Sequence, residues 1–229
     1  MHEEKLLMDF LGIPNTVVPH YVSYAFLASL LLIGTALMVR KSLQLVPTGV
    51  QNFMEAVAEG ILTLCEENIG HHWAKHFFPL IGTIALYVAV CNFMGLIPGF
   101  FSPTSNINNN VALAVPVFLA THIYGIRVHG FGYLKHFLGP IRSMAALPLM
   151  ILIFLIELIG HLVRPVTLSV RLFGNMVAKH IILLVLASLS PWIIPTAILA
   201  LGTLVSLIQA FVFTLLATLY LAGAVEEAH

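Results

Sequence analysis

The sequence is short of charge. Only 9% of its 229 residues are charged, whereas soluble domains usually carry about 25%. Hydrophobic residues make up 59% of the chain, and the mean hydropathy is +0.99. The formal net charge is zero, so the chain lacks the basic field with which proteins attract nucleic acid. These shortages exclude a nucleic-acid-binding role and indicate an integral membrane protein surrounded by lipid.

Cysteine and the common catalytic motifs are also scarce. The chain has two cysteines, Cys65 and Cys91, without the spacing of a disulfide framework or a zinc site. HExxH, GxSxG, P-loop and GxGxxG patterns do not occur in the sequence. We therefore expect no metal and no cofactor. The first residues, MHEEKLLMDF, lack the features of a secretory signal peptide, so we expect no cleaved signal.

What the sequence does contain is a series of apolar segments. A membrane helix needs about 20 apolar residues. Membrane helices are predicted at 24–40, 77–97 and 111–125. The segment 47–67 has apolar residues at helical spacing and four glutamates, which predicts an amphipathic helix at the membrane surface or against a partner. The polar stretch 102–110 is predicted to be a loop.

The last two apolar segments are too long for upright membrane spans. The segment 144–189 has 46 residues, about 69 Å as a helix, which is twice a bilayer core of about 30 Å. It could form two ordinary spans. Because no turn cluster interrupts it, one long tilted helix with a bend at Pro165 fits better. With 191–224 it is predicted to form a tilted hairpin against a curved partner. The predicted fold is therefore an all-α polytopic membrane protein with about five membrane helices and one interfacial helix.

The basic residues predict the orientation of the chain. Arg40 and Lys41 follow the first span, and Arg127, Lys135 and Arg142 follow the third, whereas the loop between the second and third spans carries no charge. Loops rich in lysine and arginine stay in the cytoplasm. Both basic loops are therefore predicted to be cytoplasmic, with the amino terminus outside.

Arg171 is the most unusual residue of the long apolar segments. A charged side chain at the membrane centre costs about 3 kcal/mol on insertion scales. Its nearest carboxylate in sequence is Glu157, about 21 Å away along a helix. We therefore expect the partner of Arg171 to lie on another helix or another chain.

Other polar residues share a helical stripe with Arg171 or form a second stripe on the last helix. Stripes of this kind could line a hydrated path for ions. Simpler interpretations are also open: long cations can reach the headgroups, an i,i+4 acid–histidine pair can form its own hydrogen bond, and polar residues can join helices. The residues concerned are Glu157, His161, Arg164, Asn175 and Lys179 on the first helix, and Ser206 and Gln209 on the second.

The run Arg171-Leu-Phe-Gly-Asn-Met176, preceded by Arg164-Pro-Val-Thr-Leu-Ser169, resembles the signature of subunit a of F-type ATP synthases. The resemblance extends over most of the chain. Further matching stretches are Pro47-x-Gly49-x-Gln51-x-x-x-Glu55, Asn92-Phe-Met-Gly-Leu-Ile-Pro-Gly99, Pro103-Thr-Ser-Asn106, Ile156-Glu-Leu158 and Gln209-Ala-Phe-x-Phe213.

The resemblance implies an ion-translocating stator that is not catalytic alone. Its expected partners are the ring of c subunits, the b subunits of the peripheral stalk and the rest of the ATP synthase. Two half-channels would lead ions to the ring, and Arg171 would be the fixed cation that drives deprotonation of the ring carboxylates and prevents a proton leak. A prokaryotic inner membrane is the expected location, because the chain shows no transit peptide.

The same match assigns expected roles to further residues. Asn92, Asn175 and Gln209 correspond to the outer half-channel and Glu157 to the cytoplasmic one, while Ser206 lies on the same polar stripe as Gln209. His180 and Gly202 fall where family members often carry a glutamate and a histidine. Gly95 falls on a position that is acidic in some members. Because the acid is absent here, His180 is expected to relay protons alone or through water, although helical geometry turns it nearly opposite to Arg171.

Three rival functions are weighed against the stator. A secondary transporter would use Glu157 and Arg171 for its substrate, but it favours inverted repeats and broken helices, which the sequence lacks. A structural scaffold would need the polar residues only for assembly. A membrane metalloenzyme would need more histidines on facing helices. The cluster His71, His72 and His76 fits interfacial anchoring better than metal binding.

Overall fold

The computed structural model describes residues 19–41, 43–97, 99–130, 132, 147–189 and 193–225. All regular structure in these ranges is helical, and five of the helices are long and apolar enough to cross a membrane. This result confirms the predicted all-α polytopic class. The helices are α1 His20–Lys41, α2 Val50–Ile69, α3 His71–Met94, α4 Ile107–His129, α5 Leu147–Leu189 and α6 Ile193–Val225, with a short 3₁₀ helix at Pro103–Ser105.

The observed helices differ from the predicted segments mainly at their ends. α3 begins at His71, six residues before the predicted start at 77. The prediction missed this first part because hydropathy detects only the apolar part of a helix. The prediction of a loop over 102–110 is wrong in its second half. Asn106 caps α4 there, since its side chain accepts a hydrogen bond from the backbone N–H of Asn108 at 2.9 Å, and such caps begin helices.

The long segment folds as one uninterrupted helix. α5 has 43 residues and continues through Pro165, as the missing turn cluster predicts. α6 has 33 residues and packs against α5. The first residues of the two predicted segments, 144–146 and 191–192, lie outside the described residues.

The membrane helices pack so that consecutive helices run in opposite directions. The rings of Phe77 and Tyr124 lie 4.7 Å apart between the start of α3 and the end of α4. At the other end of the bundle, the Tyr24 hydroxyl donates to the carbonyl of Gly99 at 3.1 Å. We call the end that carries Arg40, Lys41 and Arg127 the basic end. The opposite end, which carries the 3₁₀ helix, is the loop end.

α2 packs across the basic end of the bundle, against α3 and α6. Cys65 of α2 is buried in an apolar cluster with Ala74 and Leu221. Burial raises the pKa of the Cys65 thiol, so this thiol is a packing group at neutral pH. Gln51 ties the start of α2 to the preceding segment, because its amide donates to the Gln44 carbonyl at 3.0 Å.

Candidate ion pathway

Polar side chains inside the bundle gather at two levels. We call Asn92, Ser102, Thr104, Asn110, Ser169 and Ser206 the loop-end cluster, and His122, Glu157, His161, Arg164 and Tyr220 the basic-end cluster. Between these levels, α3, α4, α5 and α6 each contribute to an apolar core, which includes Val88, Ala114, Val117, Leu168, Leu172 and Phe213. The polar groups therefore approach the core from both ends of the bundle.

The loop-end cluster is a buried hydrogen-bonded network centred on Asn92. The Asn92 side chain is fully buried; its oxygen accepts from the Thr104 hydroxyl at 2.8 Å and its amide nitrogen donates to the Ser206 carbonyl at 3.4 Å. Asn110 donates to the Thr104 carbonyl at 2.8 Å and to the Ser169 carbonyl at 3.4 Å. This network joins α3, the 3₁₀ helix, α4, α5 and α6.

The 3₁₀ helix and Ser102, the residue before it, supply two of the hydroxyls of this cluster. Ser102 donates to the carbonyl of Cys91 at 2.9 Å, and its oxygen lies 2.8 Å from the Thr104 hydroxyl. Both side chains are fully buried. The stretch Pro103–Asn106 is therefore folded into the bundle. Its buried polar groups form hydrogen bonds with the protein, whereas those of an exposed loop would bond to water.

Asn175 and Gln209 join the two long helices near Arg171. The Asn175 amide nitrogen donates to the Gln209 side-chain oxygen at 2.6 Å. Gln209 is 3% exposed, whereas Asn175 is exposed. Among the described residues, Gln209 Nε2 and Ser206 Oγ are buried and have no hydrogen-bond partner. Groups that can form hydrogen bonds therefore extend from the exposed face of α5 into the interior of the bundle.

Arg171 lies on an exposed face of α5. Within the ranges that the structure describes, its guanidinium has no ion pair or hydrogen bond. Gly174, one turn further along, is also exposed, and a Cβ built there would meet nothing within 4 Å. Packing within the described ranges therefore explains neither the cation nor the neighbouring glycine.

Lys179 occupies the space beside two glycines. A Cβ built on Gly202 would lie 3.1 Å from Lys179 Cδ, and one built on Gly95 would lie 3.5 Å from Lys179 Nζ. The ammonium nitrogen is buried and has no hydrogen-bond partner in the described part of the chain. Contact with the headgroups was one interpretation that the sequence left open for this side chain. The structure instead places it beside the positions where the resemblance leads one to expect an acid and a histidine.

The basic-end cluster combines two histidines and a carboxylate. His161 Nε2 lies 3.3 Å from Glu157 Oε1, so the i,i+4 contact expected from their spacing is present. The His122 ring of α4 lies 5.4 Å from the His161 ring, edge to face. The Arg164 guanidinium carbon lies 5.3 Å from the centroid of the Tyr220 ring, within cation–π range.

The sequence-derived stripe on α5 thus divides between two environments. Glu157, His161 and Arg164 belong to the basic-end cluster, and Leu168 next to them is buried at 2% exposure. Arg171 and Asn175 lie on the exposed face. His180 is half-buried nine residues beyond Arg171, so helical geometry keeps the two side chains apart.

Sequence reasoning missed His122, because it is a single histidine in the apolar stretch of α4. The histidines near the start of α3 act as local contacts. His71 Nδ1 lies 2.9 Å from Glu66 Oε1, and His76 Nε2 lies 2.6 Å from the Tyr124 hydroxyl. Both arrangements fit the anchoring interpretation of this cluster.

Together these features define a polytopic helical membrane protein with a permanent cation on an outward face and polar clusters towards both ends. The model of the ATP synthase A chain family matches residues 22–222. The chain therefore belongs to the family of subunit a of F-type ATP synthases.

Relatives of high similarity carry the same family name. "ATP synthase subunit a" of Trichlorobacter lovleyi is 50% identical over 208 residues, which cover 91% of this chain and 88% of that protein. The protein of the same name from Geobacter sulfurreducens is 52% identical over the same shares. "ATP synthase subunit a 1" of Pelobacter propionicus is 48% identical, again over 91% and 88%.

Proposed function

We propose that this chain leads ions to a ring of c subunits through two half-channels, with Arg171 as the fixed counter-charge of the ring carboxylates. The observation that carries the proposal is the exposed guanidinium of Arg171, which has no partner among the described residues. A buried or lipid-facing charge needs a counter-charge. A carboxylate supplied by another chain would meet that need.

The chemistry of ion exchange explains why this residue is an arginine. A carboxylate that faces hydrocarbon stays protonated, because the charged form is poorly solvated there. An adjacent cation favours the ionised form, so a ring carboxylate would release its proton beside Arg171. A buried lysine can lose its own proton, whereas arginine stays charged. The permanent charge also repels protons and would separate the two half-channels.

The two polar clusters suggest the courses of the half-channels. On the loop-end side, Asn92, Ser206, Gln209 and Asn175 form a polar series that ends on the exposed face near Arg171. On the basic-end side, Glu157 would connect the ring to the cytoplasm. The apolar core between them would block direct passage. A charge that crosses 100 mV releases about 2.3 kcal/mol, so a leak would waste the gradient.

The face of α5 that carries Arg171 also suggests the partners of this chain. Within the described ranges, a Cβ built on Gly160 or Gly174 would meet nothing within 4 Å, so the small size of these residues suits close approach by ring helices. The length of α5 and α6 suits a tilted hairpin along a curved ring. We place the complex, with its peripheral-stalk b subunits, in a prokaryotic inner membrane.

The proposal is tested by Arg171→Ala in the assembled complex, reconstituted in membrane vesicles. We expect ATP synthesis driven by an imposed gradient to be abolished, while the ring still co-purifies with the variant chain. Val170→Ala is the matched control, because Val170 is an exposed neighbour on α5 without charge. Full ATP synthesis by Arg171→Ala would contradict the proposal.

A further inference from the structure

The seam between α5 and α6 continues beyond the hydrogen bond from Asn175 to Gln209. The two helices run in opposite directions, and four residues after Asn175 the side chain of Lys179 passes close to Gly202 of α6. A Cβ built on Gly202 would lie 3.1 Å from Lys179 Cδ. Gly202 and Gln209 are about two turns apart on α6. Lys179 therefore extends the polar series of this seam towards the loop end.

The ammonium group of Lys179 lies beside the loop-end cluster. A Cβ built on Gly95, which follows α3, would lie 3.5 Å from Lys179 Nζ and 3.2 Å from Ser102 Oγ. Both polar atoms therefore border the same glycine. Lys179 Nζ is buried and has no hydrogen-bond partner among the described residues. The absence of side chains at Gly95 and Gly202 leaves the space that this long side chain fills.

Within the described ranges, the loop end holds no carboxylate that would neutralise Lys179. Four of the carboxylates in these ranges belong to α2, which packs across the basic end, and the remaining one is Glu157 of the basic-end cluster. The amides and hydroxyls of the loop-end cluster are neutral. The charge of Lys179 therefore makes the electrostatic potential positive on this side of the seam.

A fixed positive charge acts differently on metal cations and on protons. It raises the energy of any cation that approaches through surroundings of low dielectric constant, and charged side chains that line a path select ions in this way. Lysine can lose its proton and take it up again, whereas arginine stays charged. Lys179 can therefore repel metal cations without being the permanent barrier to protons that Arg171 would be.

We propose that Lys179 determines the ion selectivity of the loop-end half-channel by repelling metal cations, so that this route delivers protons to the ring. The inference rests on the half-channels proposed above. It gives Gly95 and Gly202 a shared role, because their lack of side chains makes room for the selecting charge.

The test measures how fast silver ions reach a thiol placed beyond Lys179. Silver is a monovalent metal cation that binds thiolates, the soft ligands of proteins. Ser206→Cys supplies the thiol, because Ser206 lies between Gly202 and Gln209 and its Oγ is buried without a partner among the described residues. Alanine replaces Cys65 and Cys91, so no native thiol competes. The complete complex is held in vesicles with the loop end facing the added silver, and the thiols left unreacted are labelled with a maleimide after denaturation.

Lys179→Met keeps the length of the side chain and removes its charge. We expect it to raise the rate of the silver reaction about tenfold, since the repulsion is lost. Lys75→Met is the matched control, because Lys75 is exposed near the start of α3 at the basic end, and it should leave the rate unchanged. Methyl methanethiosulfonate, a neutral thiol reagent, should react equally fast with and without the Lys179→Met change.

Three results would overturn the inference. Equal silver rates with and without Lys179→Met would show that the charge repels no cation. An equal rise for the neutral reagent would indicate looser packing in place of lost repulsion. A thiol at 206 that silver reaches in neither form would show that Lys179 lies on no ion path. If Lys179→Met fails to co-purify with the ring, Lys179→Gln gives the deciding rates for both reagents.

Arg171→Ala, assayed in parallel for ATP synthesis, separates this inference from the proposed function. Full ATP synthesis by that variant would contradict the half-channels themselves. An inactive Arg171→Ala together with equal silver rates in the two forms at Lys179 would overturn the selectivity role alone.

Discussion

The two polar clusters sit in the same helix bundle and yet differ in chemistry. At the loop end, the amides and hydroxyls are buried and neutral, and Asn92 and Thr104 bond to each other. At the basic end, His161 and Glu157 are titratable, and the carboxylate is 44% exposed. Buried neutral networks fix positions, whereas imidazole and carboxylate side chains can bind and release protons. The comparison predicts structural losses from changes at one end and kinetic losses at the other.

Asn92→Leu should cause the largest loss of stability. It would remove the acceptor of the Thr104 hydroxyl, which would keep only its contact with Ser102, and the side-chain donor to the Ser206 carbonyl. Loss of one partner from a buried hydrogen bond costs about 1–3 kcal/mol. We expect a lower melting temperature of the purified complex. Asn108→Leu is the control, because Asn108 is exposed on the next helix. Equal melting temperatures for both variants would show that the network does not stabilise the loop end.

Gly95→Ala should disturb the same cluster by a steric route. The new Cβ would lie 2.6 Å from Ser102 Cβ, which forces a shift and costs about 1–3 kcal/mol. The measurement is again the melting temperature of the complex. Gly60→Ala provides the comparison, because its Cβ would meet nothing within 4 Å. A Gly95→Ala variant as stable as Gly60→Ala would contradict this packing.

Glu157→Gln should leave stability nearly unchanged and slow ion exchange. Glutamine keeps the size and the hydrogen-bonding oxygen that faces His161, but it cannot bind and release a proton. We expect ATP-driven pumping to fall across a pH series at an unaltered melting temperature. Normal pump rates at every pH would argue against a relay role for Glu157.

Tyr220→Leu should have the smallest effect. It removes the ring beneath Arg164, and such a cation–π contact contributes about 0.5–1 kcal/mol at an exposed site. Tyr220→Phe retains the ring and serves as the control. Thermal unfolding should rank leucine below phenylalanine, and the reverse order would show that the contact does not stabilise the cluster.

The sequence predicts features that depend on local periodicity. The unbroken course of α5 follows from the missing turn cluster, and the Glu157–His161 contact follows from i,i+4 spacing. The isolation of Arg171 likewise follows from the lack of a nearby acid in the sequence. These features need no knowledge of how distant segments pack.

Features that depend on distant segments were not predictable. His122 meets His161 only because α4 and α5 pack together at this level. Lys179 lies beside Gly95 and Gly202, which belong to two other parts of the fold. A single sequence does not define how each helix is rotated or shifted against its neighbours. The contacts of such residues between helices therefore require the three-dimensional structure.

The most direct test of the central claim is disulfide cross-linking at the exposed face of α5. A cysteine replaces Gly174, one turn from Arg171, and a second replaces a ring residue one turn from the ring carboxylate. The account predicts an oxidant-dependent cross-link that stops ATP synthesis and is reversed by reduction. Absence of a cross-link at this position, together with cross-linking of the ring to Val22 of α1, which is exposed far from Arg171 in sequence, would contradict the account.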